Sequence, residues 1–446
     1  MPAATLGRRV RNDLVVDFAG ALAGLGFGAT LALGLTAESR GALAAPGGIS
    51  IAVGRLAGLA GTYLLLLMVL LMARIPAVER AVGQDRLARW HARIGPWPIV
   101  LLGAHVVFIT LGYAQSSTTG VIRQFWLFID SYPDVLAAVV GFALLVMVAV
   151  LSVRAARRRL RYETWWAIHL YVYIALALSF AHQLATGASF LGHPLARVIW
   201  SSAWASTAGI VLVCRLGIPL WRTVRHGLAV VAVHEEAPGV VSLVCSGRRL
   251  DKLSVKGGQF FQWRFLARGM WWQAHPYSIS ALPMPPYIRV TVRTDGDHGR
   301  RLESIPIGTR VAIEGPYGRF TADSRRTDRV LLVGAGVGVT PLRAILEDLP
   351  SGVDVAVIVR CSSRDELVLH RELEELVSSR SGVLHAVVGP RDKVRLDERA
   401  VRRLVPDIAR RDIFICGPSG FADGFVGTAH KLGAPKERIH LEQFAL

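Results

Sequence analysis

Four histidines lie in apolar surroundings at a spacing that suits one face of a helix. His91 and His105 are 14 residues apart, and His169 and His182 are 13 apart. With about 3.6 residues per helical turn, each pair is separated by close to four turns, or about 20 Å. Two such helices side by side would oppose His91 to His169 and His105 to His182 at two depths. Neutral imidazole is a good iron ligand, so the pattern predicts bis-histidine ligation of two stacked haems of the b type.

Hydrogen bonding across packed helices is the alternative role for these histidines. A single buried histidine would favour that alternative. Two matched pairs, on helices that run in the same direction, favour metal ligation, because ionisable side chains inside a bilayer are costly and usually functional. Pro96 and Pro98 lie between His91 and His105 and predict a kink in that helix.

Two arginines lie near the ends of the apolar stretch at residues 49–73. Arg55 is near the outer end of this stretch and Arg74 near its inner end. An arginine in an apolar stretch requires a counter-charge, and haem propionates would supply one. For Arg74, extension of the side chain to the membrane surface is an equally good explanation.

The histidines belong to a chain half with six apolar stretches of about the length that crosses a bilayer. These stretches are residues 14–36, 49–73, 97–114, 135–153, 165–184 and 197–221. Hydrophobic residues make up 52% of the 446 residues, which excludes an ordinary soluble protein. No small-residue cleavage site follows the first stretch, which argues against a signal peptide. The chain is therefore predicted to be a multi-pass membrane protein in contact with lipid.

The net charge of +18 has a distribution that indicates membrane topology rather than nucleic-acid binding. Arginines are concentrated before the first stretch, in alternate loops and after the sixth stretch. The positive-inside rule then places both ends of the membrane domain, and all that follows it, in the cytoplasm. The four cysteines, at positions 214, 245, 361 and 416, form no cluster for an iron–sulfur centre or zinc.

Three domains are predicted. Residues 1–225 form a six-helix transmembrane bundle. Residues 226–324 contain short alternating segments at 228–237, 240–247, 259–266, 287–294 and 310–318, which predict a small antiparallel β-barrel. Residues 325–446 alternate strands with helices, which predicts an α/β domain with a parallel sheet.

Two motifs in the predicted barrel suit a flavin. In "HPYS", His275, Pro276 and Tyr277 precede Ser278, so a ring would lie beside an isoalloxazine while the hydroxyl reaches its N5 edge. Arg293 precedes a glycine-containing turn that includes Gly299 and suits a diphosphate.

The α/β segment contains the stronger nucleotide motif. A hydrophobic strand enters a loop with Gly334, Gly336 and Gly338, and a helix is predicted to follow Pro341. Backbone N–H groups and the helix N-terminus would then face a pyrophosphate, although such turns also arise for steric reasons. Cys416, followed by Gly417 and Pro418, is predicted at the carboxyl edge of the sheet, where ligands bind. A buried, inert thiol is the alternative for Cys416.

Residues after the next strand bear on nucleotide choice. Arg360, Ser362, Ser363 and Arg364 would hold a 2′-phosphate, which favours NADPH. Asp365 would instead suit the ribose hydroxyl of NADH. Phe444, near the end of the sequence, would cover a flavin face.

Taken together, these motifs resemble those of the ferric reductase and NADPH oxidase superfamily, in its bacterial form without an iron–sulfur module. The resemblance implies that the four histidines hold two haems and that His275, Tyr277 and Ser278 contact FAD. It also implies that Arg293 binds the FAD phosphate. "GAGVGVTP" resembles the family's nicotinamide-nucleotide loop, with Thr340 near the nicotinamide. The resemblance further places Cys416 beside the site of hydride transfer and Phe444 over the flavin, although two residues follow Phe444 here.

The resemblance implies an oxidoreductase that passes electrons from cytoplasmic NAD(P)H through FAD and two haems to an acceptor outside. Ferric iron or its chelates, and dioxygen giving superoxide, are both compatible acceptors. The alternatives are a haem-bearing membrane subunit that serves a protein partner and a non-catalytic redox sensor. The short outer loops argue against an obligatory protein partner, and the flavin and nucleotide motifs argue against a sensor.

Overall fold

Long apolar helices form the first part of the chain in the computed structural model, which describes residues 3–160, 162–390 and 392–444. The side chains of residues 3–12, 85, 154, 162, 163 and 444 lie outside this description. Contacts divide the chain into two compact units, one of Asp13–Arg215 and the other of Leu216–Leu446 with Met1–Asn12. The domain boundaries predicted near 225 and 324 stay predictions.

The helices of the first half follow one another with short connections. They are α1 (Ala3–Thr36), α2 (Arg40–Ala44), α3 (Gly48–Met72), α4 (Pro76–Val82), α5 (Gln84–Ile94), α6 (Pro96–Ser117), α7 (Val121–Ser131), α8 (Val135–Ser152), α9 (Arg154–Arg157), α10 (Tyr162–His169), α11 (Tyr171–Thr186), α12 (Pro194–Leu212) and, after a π-helical segment at Val213–Gly217, α13 (Ile218–His226).

Within the described residues, six helical segments are long and apolar enough to cross a membrane. They are Asp13–Thr36, Gly48–Met72, Arg86–Ser117, Val135–Ser152, Thr164–Thr186 and Pro194–His226. The six predicted apolar stretches are therefore confirmed as helices. The third span is interrupted at Gly95, next to the prolines that predicted a kink. The fifth is interrupted at Leu170, where the N–H of Tyr173 bonds to the Leu170 carbonyl at i−3.

The next section folds into an antiparallel sheet. Its elements are β1 (Leu228–Ala237), β2 (Val240–Ser246), β3 (Phe260–Phe265), β4 (His275–Ser278), β5 (Tyr287–Arg293), α14 (Gly296–Glu303) and β6 (Arg310–Tyr317). The strand order is β4-β3-β6-β1-β2-β5. Alternate residues of β3, namely Phe261, Trp263 and Phe265, are fully buried in the core, as a half-buried strand requires.

The predicted antiparallel fold is confirmed, but the barrel is not closed by a full ladder. The edge strands β4 and β5 meet only around the isolated bridge between Ile279 and Val290 and the bond from Ser280 N to the Arg289 carbonyl. The motif 275–278 is itself the edge strand β4, which was not among the five predicted strands.

The last section is a doubly wound α/β fold. Its elements are β7 (Arg329–Ala335), α15 (Val339–Asp348), β8 (Asp354–Cys361), α16 (His370–Ser378), β9 (Val383–Val388), α17 (Glu398–Leu404), β10 (Asp412–Pro418), α18 (Ser419–Lys431) and β11 (Ile439–Phe444). The strands are parallel, in the order β11-β10-β7-β8-β9, and the two faces pack against different helices. The order reverses between β7 and β10, which is where such sheets bind ligands.

Candidate functional site

Glycines on α3 allow close packing against α6. A Cβ on Gly54 would lie 2.9 Å from the backbone N of Ile109, and one on Gly58 would lie 2.6 Å from His105 Nδ1. Small residues four apart are typical of close helix pairs in membranes. The prediction from histidine spacing did not include these glycines, although their Gly-x3-Gly spacing is a signal in the sequence.

The same helix supplies backbone carbonyls to both histidines of the third span. Nδ1 of His91 lies 3.2 Å from the carbonyl oxygen of Met68, and Nδ1 of His105 lies 2.8 Å from that of Gly54. A carbonyl only accepts, so each Nδ1 bears the proton and each Nε2 keeps its lone pair. Metal-binding histidines are typically oriented by such a bond. Thus α3 holds both rings in the form that ligates a metal.

The structure brings the predicted pairs together. The ring centres of His91 and His169 are 6.0 Å apart, with the planes at 60°. Metal–imidazole bonds of about 2 Å on either side of an ion place ring centres about 6 Å apart. His105 and His182 line one cavity of about 400 Å³, a volume typical of ligand sites.

Two further observations test whether these residues fit a haem. Nδ1 of His169 and Nδ1 of His182 are buried without a hydrogen-bond partner in the part of the chain that the structure describes. Among those same residues, no three His, Cys, Asp or Glu side chains are grouped to hold a metal ion. The opposed imidazoles and the neighbouring cavity are the donor set and the space that a bis-histidine haem requires, so the residues present fit a haem.

Arg55 lines the cavity with His105 and His182. Its Nη1 lies 2.8 Å from Oε1 of Glu38, whose side chain is almost fully buried. The sequence reasoning missed this counter-charge, because Glu38 is 17 residues away in a loop. Arg74 follows the end of the second span and has a positive φ of 59°. Contact of Arg55 and Arg74 with propionates stays a prediction.

The flavin motif lies on β4, antiparallel to β3. The carbonyl of Tyr277 accepts a bond from Trp263 Nε1 at 2.9 Å, and Ser278 is buried. The His275 ring stacks near Tyr277 and lies 3.7 Å from the ring of His298. Burial, then the nearby His275 and Arg301, lower the pKa of His298 to about 4. His298 is therefore neutral at pH 7, beside a motif predicted to contact FAD.

Arg293 ends β5 and forms an ion pair with Asp295 at 2.6 Å, with both side chains about half exposed. Exposed pairs of this kind are weak, so the guanidinium remains able to turn to a phosphate. Gly299 is buried in α14, and a Cβ there would lie 2.5 Å from the backbone of Thr294. Gly299 is thus required for packing, whether or not it meets a phosphate.

The glycine loop and Cys416 come together at the switch point of the parallel sheet. Cys416 pairs with Gly334 of β7, and a Cβ on Gly338 would collide with the Cys416 carbonyl. Gly336 has a φ of +56° and open space around it, which suits close approach of a ligand. The helix α15 begins at Val339, so Pro341 lies in its first turn rather than before it.

Three residues complete this edge. Thr340 is buried and donates to the Val337 carbonyl. Gly417 packs against Ala335 and Phe421. Cys416 is fully buried, and burial followed by the charge of Glu442 raises its pKa well above the ordinary value, so the thiol stays protonated.

The residues predicted to hold a 2′-phosphate separate into two groups. Arg360 is buried and donates to the carbonyls of Cys361, Val387 and Val394, so its donors are used inside the sheet. Sequence reasoning placed it in the binding loop because it ends a strand. Ser362 and Arg364 are exposed in the loop after β8.

Phe444 is the last residue of β11, and its backbone is in register with Pro418. Its side chain lies outside the described part of the chain. The strand thus ends beside the Cys416 loop, and the shielding role of Phe444 stays a prediction.

Family models match three parts of the chain. Residues 57–180 match a "Ferric reductase like transmembrane component", 230–321 an "FAD-binding domain" and 332–426 an "Oxidoreductase NAD-binding domain". The first match includes three of the four membrane histidines and ends two residues before His182.

Similar proteins match about half of the chain or less. The glycine betaine monooxygenase reductase subunit of Chromohalobacter salexigens is 28% identical, over 50% of this chain and 65% of its own length. The stachydrine N-demethylase reductase subunit Stc4 of Rhizobium meliloti is 31% identical, over 38% of this chain and 52% of its own. The chain therefore spans between about half and two thirds of these relatives.

A solved FAD/NAD-binding domain of nitric oxide dioxygenase from Vibrio cholerae is 25% identical, with a TM-score of 0.43; the match covers 49% of this chain and 98% of that one. The three family matches follow one another in the order of the described helices and sheets. The chain thus joins a ferric-reductase-like transmembrane component to FAD-binding and NAD-binding oxidoreductase domains, which is the architecture of the ferric reductase and NADPH oxidase superfamily.

Proposed function

We propose that this chain is a transmembrane oxidoreductase that moves electrons from cytoplasmic NAD(P)H, with FAD and two b-type haems as cofactors, to a small-molecule acceptor outside. Ferric iron or its chelates, and dioxygen giving superoxide, are the two acceptor classes. The opposed histidine pairs are the observation on which the proposal depends. The pair His91–His169 has the ring spacing of a shared metal, in a chain that also contains flavin and nucleotide domains.

His91 with His169, and His105 with His182, would each hold one haem, which supplies one-electron redox chemistry when bound. The carbonyls of Met68 and Gly54 keep the Nε2 lone pairs of His91 and His105 available. Two histidines per iron leave no open position, so carbon monoxide is expected not to bind the reduced protein readily. Ready binding would contradict the assignment of both pairs.

FAD, when bound, converts a two-electron hydride donor into a source of single electrons. In this proposal Tyr277 and Ser278 bind the flavin and Arg293 its phosphate. The amino end of α15, with Gly336, binds the pyrophosphate of the nicotinamide nucleotide. The neutral Cys416 thiol adds no charge beside the nicotinamide. Phe444 would exclude water from the opposite flavin face.

For the nucleotide, NADPH is proposed over NADH. Arg364 and Ser362 are exposed at the carboxyl end of β8, where the adenosine ribose is expected. A carboxylate lies in the same loop, because Glu366 Oε2 accepts a hydrogen bond from the Ser362 N–H at 2.9 Å. The ratio of kcat/KM for NADPH and NADH tests the proposal, and a preference for NADH would contradict it.

The cell membrane is the proposed location, with the N-terminus and the nucleotide domains in the cytoplasm. The described residues contain six candidate spans, an even number, which would place both ends of the membrane domain on one side. The arginine-rich loops identify that side as the cytoplasm by the positive-inside rule.

An optical spectrum of the purified protein, repeated after NADPH, tests the proposal as a whole. A b-type haem signal that NADPH reduces is expected, and a protein without haem would contradict the proposal. Two relatives are reductase subunits by name, which keeps transfer to a protein partner as a second candidate. Steady NADPH oxidation with ferric chelate or dioxygen alone would distinguish the enzyme from such a subunit and from a sensor.

A further inference from the structure

In the unit that begins at Leu216, one end of the antiparallel sheet is unusually apolar on its surface. Strand pairing defines this end. Leu228 at the start of β1 pairs with Val311, Phe265 at the end of β3 also pairs with Val311, and Ser246 at the end of β2 pairs with Tyr287 at the start of β5. The loops and helix next to these residues therefore lie at a common end.

Several large, exposed hydrophobic side chains belong to this end, and we call six of them the apolar rim. The rim consists of Leu220 and Trp221 in α13, Trp271 and Trp272 after β3, Met284 before β5, and Ile307 before β6. Trp271 is 61% exposed and Met284 74%. In the parallel-sheet section, by contrast, the exposed large hydrophobics among the described residues are Val383 and Leu441.

The tryptophan loop is fixed in place rather than loosely attached. Arg264 Nη1 donates to the carbonyls of Trp271 and Trp272 at 3.4 and 3.3 Å, and Leu266 N bonds to the Arg310 carbonyl at 2.9 Å. The loop that carries the two indoles is therefore held to β3 and β6. Soluble domains rarely expose such a patch without a binding role.

The rim lies close in sequence to the end of the last candidate membrane span. The sixth span, Pro194–His226, has 33 residues, or about 50 Å of helix, against about 40–45 Å for a bilayer with its headgroups. The strand β1 begins at Leu228, immediately after this span. Two hydrogen bonds join His226 and Arg248. His226 Nδ1 lies 3.1 Å from the Arg248 carbonyl, and the Arg248 N–H donates to the His226 carbonyl at 2.7 Å. These bonds fix α13 to this end of the sheet. Leu220 and Trp221 of the rim thus belong to the end of the span itself, and the rest of the rim lies at the end of the sheet to which α13 is bonded.

Charge at this end has the sign that anionic lipid attracts. The exposed basic residues here are Arg249, Lys252, Arg268 and Arg310, and the nearby acids are Asp251 and Glu303, the last residue of α14. Arg225 lies 4.9 Å from the Trp221 ring. Exposed tryptophans next to arginines are typical of the membrane–water interface. We propose that the apolar rim inserts into the headgroup layer of an anionic bilayer and so fixes the flavin sheet at the membrane surface.

Fluorescence quenching of the full-length chain in lipid nanodiscs tests this proposal. The chain has 11 tryptophans. The fluorescence of Trp271 and Trp272 is therefore obtained as the difference between the wild type and W271F/W272F. Phospholipids brominated near the headgroup are expected to remove most of this difference signal in discs that contain phosphatidylglycerol. Arg249→Gln with Arg268→Gln should weaken the quenching, whereas the exposed pair Arg402→Gln with Arg403→Gln on α17 should not.

Two results would overturn the proposal. If the difference signal is quenched by aqueous acrylamide but not by brominated lipid, the rim faces water. If neither reagent quenches it, protein covers the rim. Met284→Cys with a bimane label, in a Cys214→Ser background, is a second probe that leaves both tryptophans intact. Cys214 is replaced because it is partly exposed, whereas Cys245, Cys361 and Cys416 are buried. The measurement needs no haem and no NADPH, so its failure is separate from failure of the proposed function.

Discussion

The membrane histidines differ in how their rings are held. His91 and His105 are oriented by carbonyls of α3, whereas Nδ1 of His169 and Nδ1 of His182 have no bond within the described residues. One member of each pair is therefore oriented by a carbonyl of α3, whereas Nδ1 of the other member makes no such bond. Each pair should accordingly depend on both of its members.

His105→Ala is expected to lower the haem content of the purified protein to about half, because one of the two proposed irons loses a ligand. His193→Ala is the matched control, since His193 is exposed in a loop before α12. Absorbance per polypeptide, with FAD content as reference, measures the effect. Full haem content in His105→Ala would contradict the pairing.

A different buried group fixes the linker between the two sheets of the second unit. Asp412 is fully buried and its carboxylate accepts bonds from the backbone N–H groups of Arg326 and Thr327 at 2.8 and 2.7 Å. His440 Nε2 lies 2.9 Å from its other oxygen. Burial alone would raise the pKa of Asp412, but the bonds from His440 and from the two N–H groups lower it below its ordinary value.

Asp412→Ala is expected to destabilise the unit by about 3–5 kcal/mol, because the donors on Arg326, Thr327 and His440 lose a buried acceptor. A lowered native pKa means that the carboxylate stabilises the fold above its unfolded pKa of about 3.9 and ceases to do so as the pH falls through the native value. Acid unfolding in the wild type should therefore steepen below about pH 4, and less so in Asp412→Asn. Urea unfolding followed by tryptophan fluorescence at several pH values measures this; identical pH profiles would refute it.

At the residue scale, spacing predicted two opposed histidine pairs, and the rings of His91 and His169 lie together, but spacing did not predict the groups that orient the rings. Met68 and Gly54 are 23 and 51 residues away from the rings that they orient, and backbone carbonyls have no sequence signature. Arg360 shows the opposite limit. A basic residue at a strand end resembles a phosphate ligand, yet burial and nearby carbonyls decide its role.

Gly58 of α3 leaves room for the His105 ring of α6. Gly58→Ala would place a methyl group at 2.6 Å from the ring nitrogen of His105, so the ring or the helix has to move. We expect loss of haem or a shifted haem spectrum. Gly103→Ala is the matched control, because its Cβ would meet only Phe142 at 3.8 Å. Equal spectra for the two variants would show that α3 does not orient the ring.

An ion-pair cluster joins the two sheets of the second unit. Glu372 of α16 accepts two bonds from Arg289 of β5, at 2.6 and 2.7 Å, and lies 2.8 Å from Arg343 of α15. Burial alone would raise the pKa of Glu372, but the bonds and charge of Arg289 lower it. A bidentate, partly buried pair is worth more than a surface pair.

Glu372→Gln is expected to lower the free energy of unfolding by about 1–3 kcal/mol, and added salt should reduce the difference from the wild type. Glu398→Gln is the control, because its pair with Lys431 at 3.0 Å is exposed and should contribute within about 0.5 kcal/mol. A double-mutant cycle with Arg289→Gln isolates the pair. A coupling energy near zero would mean that the cluster does not join the sheets.

Element prediction succeeded where hydrophobic periodicity was long and failed where it was short. The six spans and five strands had clear patterns, whereas β4 has only four residues and includes Pro276. The strand β4 pairs with β3, where Phe260 lies opposite Ser278 and Trp263 opposite His275. The interruption at Leu170 has no proline or glycine at that residue to predict it.

For the whole molecule, the charge pattern and the number of spans together predict sidedness. An even number of spans returns the chain to its starting side, and the basic loops assign that side to the cytoplasm. The order of strands in each sheet could not be predicted in this way, because non-local pairing determines it.

Membrane vesicles of opposite orientation test this sidedness. Inverted vesicles expose the cytoplasmic face, so they should oxidise added NADPH, whereas sealed right-side-out vesicles should not, because the nucleotide does not cross the bilayer. Detergent should restore full activity in the second preparation and change the first by less than about twofold, which controls for the amount of enzyme. Protease added to each preparation should cut the second unit only in inverted vesicles. NADPH oxidation by sealed right-side-out vesicles would place the nucleotide site outside and reverse the direction of electron flow that the arginine distribution predicts.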